Sequence, residues 1–186
     1  PRQKMINLMY LVFIAMLAMN MSKEVLTAFG LMNEKFETAN KESGSTNQQM
    51  MQALDAKAVE AKGEFEKAAI TAHKVEAATK KFDSFIATAK AEVLVGVEVE
   101  EGKLPYESMD KADNLDNAWF VGEGYTDRGK KVMSAIETYK SDIKAALGAE
   151  KKYSSILNQV NKSFDLTDVS NKEGKKIKYL EYHFKG

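Results

Sequence analysis

MINLMYLVFIAMLAMNMS, residues 5–22, contains no charged side chain. Arg2 and Lys4 precede this stretch, and Lys23 and Glu24 follow it. As an α-helix it would be about 27 Å long, close to the ~30 Å hydrocarbon core of a bilayer. Its apolar residues occupy the whole circumference, which is typical of a helix in lipid. We therefore predict a transmembrane helix over residues 1–22.

A cleaved signal peptide is the main alternative explanation of this stretch. Arg2 and Lys4 would form its basic leader, but Met19-Asn20-Met21 stands where a small-x-small cleavage pattern belongs. Lysines on both sides of the stretch give no usable orientation bias. We therefore adopt the usual orientation of a short basic leader, with the N-terminus inside.

Polar residues within the apolar stretch indicate more than a plain anchor. On a helix, Gln3, Asn7 and Tyr10 share one flank, with Arg2 beside it. Polar groups in a span usually face a protein partner. No Asp or Glu lies between Arg2 and Lys23, so any proton-carrying carboxylate must come from another chain. The same residues also fit an interfacial anchor, Arg2, and an aromatic-belt residue, Tyr10.

The rest of the chain, residues 23–186, is predicted to be an up-and-down helical bundle, which makes the fold all-α. Its first helix carries apolar residues at helical spacing and is expected to end at Ser43-Gly44-Ser45: Val25, Phe29, Met32, Phe36 and Ala39. A third helix is predicted from Val132 to Gly148, capped by Thr126 or Asp127, and a fourth from Tyr153 to Phe164.

The longest periodic pattern predicts a second helix over residues 47–95. Thr46 and Gln49 form a plausible capping box at its start, and Gly96 closes it. Its apolar positions recur at alternating spacings of three and four: Met51, Leu54, Ala58, Ala61, Phe65, Ala68, Ala72, Val75, Thr79, Phe82, Ile86, Ala89 and Val93. A straight helix of this length would be about 70 Å long. We therefore expect a bend or break between Gly63 and Lys74.

Two segments show no helical period. Residues 96–124 are predicted to be irregular. The tail from Asp165 is predicted to be loop-like, with a short extended piece around Ile177 to Phe184.

Composition excludes several classes of function. Lys+Arg and Asp+Glu both number 27, so the chain lacks the basic excess that nucleic-acid-binding proteins usually show. Cysteine is absent, which removes disulfides and thiolate nucleophiles. Neither His73 nor His183 has a second ligand at useful spacing. We expect no enzyme activity, no metal and no cofactor. Because the chain starts at Pro1, we also expect it to be part of a longer protein.

The residues alone leave three functions open. The chain is part of an ion-driven motor with its span packed inside a partner, a helical sensory ectodomain that signals through the span, or a passive anchored scaffold. The polar groups in the span favour the motor.

Two stretches resemble one protein family. PRQKMINLMYLVFIAMLAMNMSKEVLTAFGLMNEKFE, residues 1–37, resembles the N-terminus of the GldM family, also called PorM, and YLEYHFKG, residues 179–186, resembles its first periplasmic domain. The resemblance implies a proton-motive-force-driven subunit of the type IX secretion and gliding machinery. It also implies a cytoplasmic N-terminus, one inner-membrane span and a periplasmic bulk.

The resemblance further implies partners and residue roles. Two copies would pair, their spans would sit in a pentameric ring of GldL helices, and domains absent here would reach a GldK–GldN ring. Arg2 matches a basic residue that faces a membrane glutamate of GldL, and Tyr10 matches an aromatic position on the partner-facing helix. With Asn7 these form the predicted partner-binding and proton-coupling set. We assign packing against the second copy or another partner to Ile14, Leu17, Ala18 and Met21.

Overall fold

The computed structural model describes the backbone of residues 2–99, 103–109, 113–170, 172 and 174–185, and within these ranges the side chains of 2–4, 17–22 and 108 are not described. The chain is mostly helical, at 78% of its residues, which confirms the all-α class. It divides into two compact units. Unit 1 comprises Pro1–Gly44 and Gly96–Ala112, and unit 2 comprises Ser45–Val95 and Asp113–Gly186.

Six α-helices, two short β-hairpins and two 3-10 helices, Tyr106–Ser108 and Lys151–Tyr153, make up the regular structure of the described residues. The helices are α1 Arg2–Glu60, α2 Glu64–Val93, α3 Asp113–Trp119, α4 Asp127–Leu147, α5 Ser154–Ser163 and α6 Tyr179–Phe184. The antiparallel hairpins pair β1 Phe120–Val121 with β2 Gly124–Tyr125, and β3 Val169–Ser170 with β4 Lys176–Ile177.

The predicted end of the first helix at Ser43-Gly44-Ser45 is wrong, because α1 continues to Glu60. One glycine costs a helix interior only about 1 kcal/mol, and the residues on either side sustain the helix. The capping box at Thr46 therefore does not form. The break falls at residues 61–63 instead, where Gly63 has φ of 96° and precedes α2. This confirms the predicted interruption of the 47–95 helix. It lies at Gly63, the first residue of the interval in which we expected it.

One part of the core of unit 2 lies between α2, α4 and α5. The rings of Phe82 and Tyr139 stack with centroids 4.7 Å apart, and Phe164 meets both edge-on. Ile143, on the same face of α4 as Tyr139, is buried beside Ala78. Aromatic contacts of this geometry add to area burial, and they join the three predicted helical stripes into one bundle.

The start of α4 forms as the sequence predicts. The hydroxyl oxygen of Thr126 accepts a hydrogen bond from the backbone N–H of Gly129 at 3.2 Å, and Gly148 ends the helix with φ of 65°. This confirms Thr126 as the N-cap and Gly148 as the C-cap.

Two segments without a predicted helix contain one. Part of the irregular 96–124 segment forms α3 and the first hairpin, and residues 179–184 form α6 rather than an extended piece. Leu180, which is fully buried beside Phe120, Val132 and Ile136, anchors α6 to the core. A single buried leucine on a six-residue helix gives no periodic signal, so tertiary packing decides this segment.

Candidate functional site

The N-terminal part of α1 is an apolar surface. All the side chains from Met5 to Met16 are exposed, and Tyr10 and Ile14 are 68% and 58% exposed. Monomeric soluble proteins rarely expose apolar patches of this extent, and such patches usually mark protein or membrane contacts. We call residues 5–16 the N-terminal apolar surface.

Three of the predicted site residues lie on one flank of this surface. Asn7, Tyr10 and Ile14 follow one another at spacings of three and four in α1, so their side chains lie one above the other. The side chains of the remaining predicted residues lie outside the described ones: Arg2, Leu17, Ala18 and Met21.

Across the part of the chain that the structure describes, no helix combines the length and apolarity needed to cross a membrane. Residues 17–22 of the predicted span do not have described side chains. The span therefore stays a prediction.

A second apolar stripe continues along α1 beyond residue 22. Phe29 and Phe36 are 63% and 62% exposed, and Val25 and Met32 are about as open. These four residues are spaced four, three and four apart, so they lie on one face of the helix. We call them the α1 stripe. The sequence predicted burial in a bundle, whereas in the single chain this face is open and suited to a partner.

Another face of α1 is covered at Gly30 by the chain itself. Residues 103–109, which we call the strap, cross α1 at Gly30, and the ring of Tyr106 lies directly over that glycine. Lys103 Nζ lies 3.5 Å from Glu34 Oε2, one turn further along α1. Gly30 is buried, in contrast to Phe29 and Leu31 on either side of it. Sequence periodicity gave no sign of this contact.

A charged cluster around His73 was also missed. His73 Nε2 lies 2.8 Å from Asp55 Oδ1, and Nδ1 lies 3.3 Å from Glu76 Oε2. The hydrogen bond to Asp55, and then that to Glu76, raises the pKa of His73. The hydrogen bond from Lys80, followed by that from His73, lowers the pKa of Glu76. Asp55 and His73 are far apart in the sequence and meet only because the chain turns at Gly63.

An open groove of about 320 Å³ lies between α2 and α4. Phe82, Phe85 and Tyr139 form its apolar floor, and the Lys81–Asp142 ion pair, at 3.2 Å, lies at its edge. No cluster of three or more His, Cys, Asp or Glu residues that could hold a metal ion occurs within the described ranges.

A family model of the GldM N-terminal domain matches residues 24–186. The chain belongs to the GldM N-terminal domain family. The match covers most of both units and begins just after the predicted span. No curated protein matches the chain. GldM membership places the chain among components of the gliding and type IX secretion machinery and associates it with the inner membrane.

Proposed function

We propose that the chain is a non-enzymatic motor subunit of the type IX secretion and gliding machinery, driven by the proton-motive force. In this proposal the N-terminal helix crosses the inner membrane once, with its N-terminus in the cytoplasm and the helical units in the periplasm. Two copies pair, and their spans lie within a GldL-type pentameric ring of transmembrane helices. Domains beyond this chain pass energy to a GldK–GldN-type ring.

The observation that carries the proposal is the N-terminal apolar surface. Its side chains are exposed around the whole circumference of α1, with Asn7 and Tyr10 on one flank. Apolar area left in water costs about 25 cal/mol per Å², so lipid or partner helices must cover it. A flank that carries an amide and a phenol is suited to a protein neighbour rather than to lipid.

Proton coupling requires a carboxylate that this span does not contain. No Asp or Glu lies between Arg2 and Lys23, so the ring would supply the acid and Arg2 the cation beside it. An opposite charge within ~4–6 Å lowers the pKa of a carboxylic acid by roughly 1–3 units. Two spans cannot match five ring subunits at once. Successive protonation and release of unpaired acids would then move the ring relative to the pair.

The α1 stripe supports pairing of two copies. It lies on the same helix as Ile14, Leu17, Ala18 and Met21, so one helix would present apolar contacts from the membrane outward. Alternating spacings of three and four are the pattern by which two helices pack side by side.

The test replaces Arg2 and Tyr10 in the full-length protein in its own bacterium. We expect Arg2→Ala and Tyr10→Ala to abolish gliding and secretion while the chain still co-purifies with the transmembrane ring. Lys4→Ala is the matched control, because it removes a neighbouring positive charge from a different side of the helix. Unchanged gliding speed in Arg2→Ala would rule out the coupling role.

A second experiment separates the motor from a passive scaffold and from a sensory ectodomain. A variant whose residues 5–22 are replaced by leucine keeps an anchor but loses the polar flank. The motor predicts loss of secretion in this variant. Retained secretion would instead favour the scaffold. A small molecule that binds the groove between α2 and α4 and changes secretion would favour the sensory function.

A further inference from the structure

We propose that the strap is a coupling element that fastens α1 beside the predicted membrane boundary, with Tyr106 and Gly30 as its positioning residues. The inference rests on the proposed motor function and adds a route by which motion of α1 reaches the rest of the chain. The strap lies between α2 and α3 in the sequence. In this proposal, force applied to α1 at Gly30 reaches those helices through the chain on either side of the strap as well as along α1.

The contact between the Tyr106 ring and α1 requires a glycine at position 30. A Cβ placed on Gly30 would lie 2.1 Å from Cδ2 and 2.3 Å from Cγ of Tyr106, closer than any side chain allows. Glycine in a helix interior costs stability relative to alanine, and at Gly30, unlike at Gly44, a neighbour approaches the backbone too closely for a side chain. Here the neighbour is an aromatic ring, which buries a large area in one contact.

The ion pair beside the ring is secondary. Lys103 and Glu34 are 3.5 Å apart, and their side chains are 66% and 34% exposed. Exposed ion pairs contribute little by themselves. The Tyr106 ring on Gly30 therefore sets where the strap sits, and the ion pair orients the start of the strap.

The strap leaves the α1 stripe open. On a helix with 3.6 residues per turn, Gly30 lies roughly a third of a turn from the line through Val25, Phe29, Met32 and Phe36. Gly30 is buried while the four stripe residues are exposed. A second copy can therefore pack on the stripe while the strap stays on Gly30, so the strap contact and pairing do not compete.

The experiment uses the full-length protein in its own bacterium and a double-mutant cycle. Gly30→Ala forces the ring away, and Tyr106→Ala removes it. Each is expected to reduce secretion and gliding by about tenfold, while pairing and co-purification with the transmembrane ring persist. The double variant is expected to be no worse than either single one, because both changes remove the same contact. Tyr106→Phe, which keeps the ring, and Gly44→Ala, which has nothing within 4 Å of its added methyl, are the controls.

A covalent crosslink between the strap and α1 tests whether their attachment is what secretion requires. The sequence has no cysteine, so Glu34→Cys with Lys103→Cys offers one defined pair for a short bismaleimide crosslinker. We expect crosslinking to leave secretion unchanged in the otherwise native chain and to restore it in Gly30→Ala. A defect in overall folding would instead lower the amount of the chain in the cell, which is measured on the same samples.

Three results would overturn the inference. One is secretion within about twofold of the native level in both Gly30→Ala and Tyr106→Ala. Another is loss of secretion on crosslinking the native chain, which would mean that the strap must detach. The third is failure of the crosslink to restore Gly30→Ala. Arg2→Ala keeps the two proposals apart. If it stops gliding while the strap variants do not, only the strap inference fails. If it has no effect, the motor function fails.

Discussion

His73 Nε2 lies 2.8 Å from Asp55 Oδ1. This contact joins α2 to the last turns of α1 across the break at Gly63. The second ring nitrogen faces Glu76, which is held at 2.7 Å by Lys80. A doubly protonated imidazole donates to both carboxylates at once, whereas the neutral ring donates to only one. The cluster therefore favours the charged histidine.

The first prediction concerns the pH dependence of stability. Because the folded-state pKa of His73 is raised above 6.5, its contribution is fully present below that value and is lost as pH rises through the folded pKa. We expect the free energy of unfolding of the purified chain to decrease as the pH rises above about 6.5. His73→Gln should flatten this slope, as measured by urea unfolding at several pH values. Lys74→Gln, an exposed neighbour, should not. A slope equally steep in His73→Gln would contradict this assignment.

The second prediction concerns Leu180, which anchors α6. Its side chain is 0% exposed, and its backbone N–H donates to the Tyr125 hydroxyl at 3.1 Å. Leu180→Ala should lower the free energy of unfolding by about 2–5 kcal/mol. Val121→Ala, at a side chain that is 63% exposed, should change it little. Similar unfolding curves for the two variants would show that α6 is not part of the core.

The contrast between α4 and α6 shows what the sequence was able to predict about the fold. In α4, Val132, Ile136 and Ile143 repeat at helical spacing between a threonine cap and a glycine cap, so local chemistry and packing agree. In α6, one buried residue within six determines the structure through contacts with distant segments. Gly44 and Gly63 show the same limit of sequence-based prediction. Of these two glycines, Gly63 adopts a positive φ and Gly44 stays within α1.

The features of the candidate site also differ in whether the sequence predicts them. The N-terminal apolar surface is local, so composition and spacing revealed it directly. The Tyr106–Gly30 contact and the His73–Asp55 contact join residues that are distant along the chain. The sequence predicted an interruption of the helix near Gly63, but the pattern of one helix does not show which distant side chains then meet. The α1 stripe was visible as a pattern, but only the structure shows that the single chain leaves it open.

The third prediction concerns the cap of α4. Thr126 accepts from the Gly129 N–H, and its hydroxyl donates to the carbonyl of Ala118. Thr126→Ala removes both bonds and should lower the free energy of unfolding by about 0.5–2 kcal/mol. Thr138→Ala, at an exposed threonine in the middle of the same helix, is the matched control and should not destabilise the chain, because alanine favours a helix interior more than threonine does. Equal losses for the two variants in a thermal melt would show that the loss at Thr126 does not come from capping.

The last prediction compares the same substitution at two helical glycines. An alanine at Gly44 meets nothing within 4 Å. Gly44→Ala should therefore raise the free energy of unfolding by about 0.5–1 kcal/mol. At Gly129 the added Cβ would lie 2.4 Å from the carbonyl oxygen of Trp119. Gly129→Ala should therefore destabilise the chain by about 1–3 kcal/mol, since the end of α3 must move away. Urea unfolding of both variants measures the difference in sign. If both substitutions stabilised the chain, α3 and α4 would not approach as closely as the structure shows.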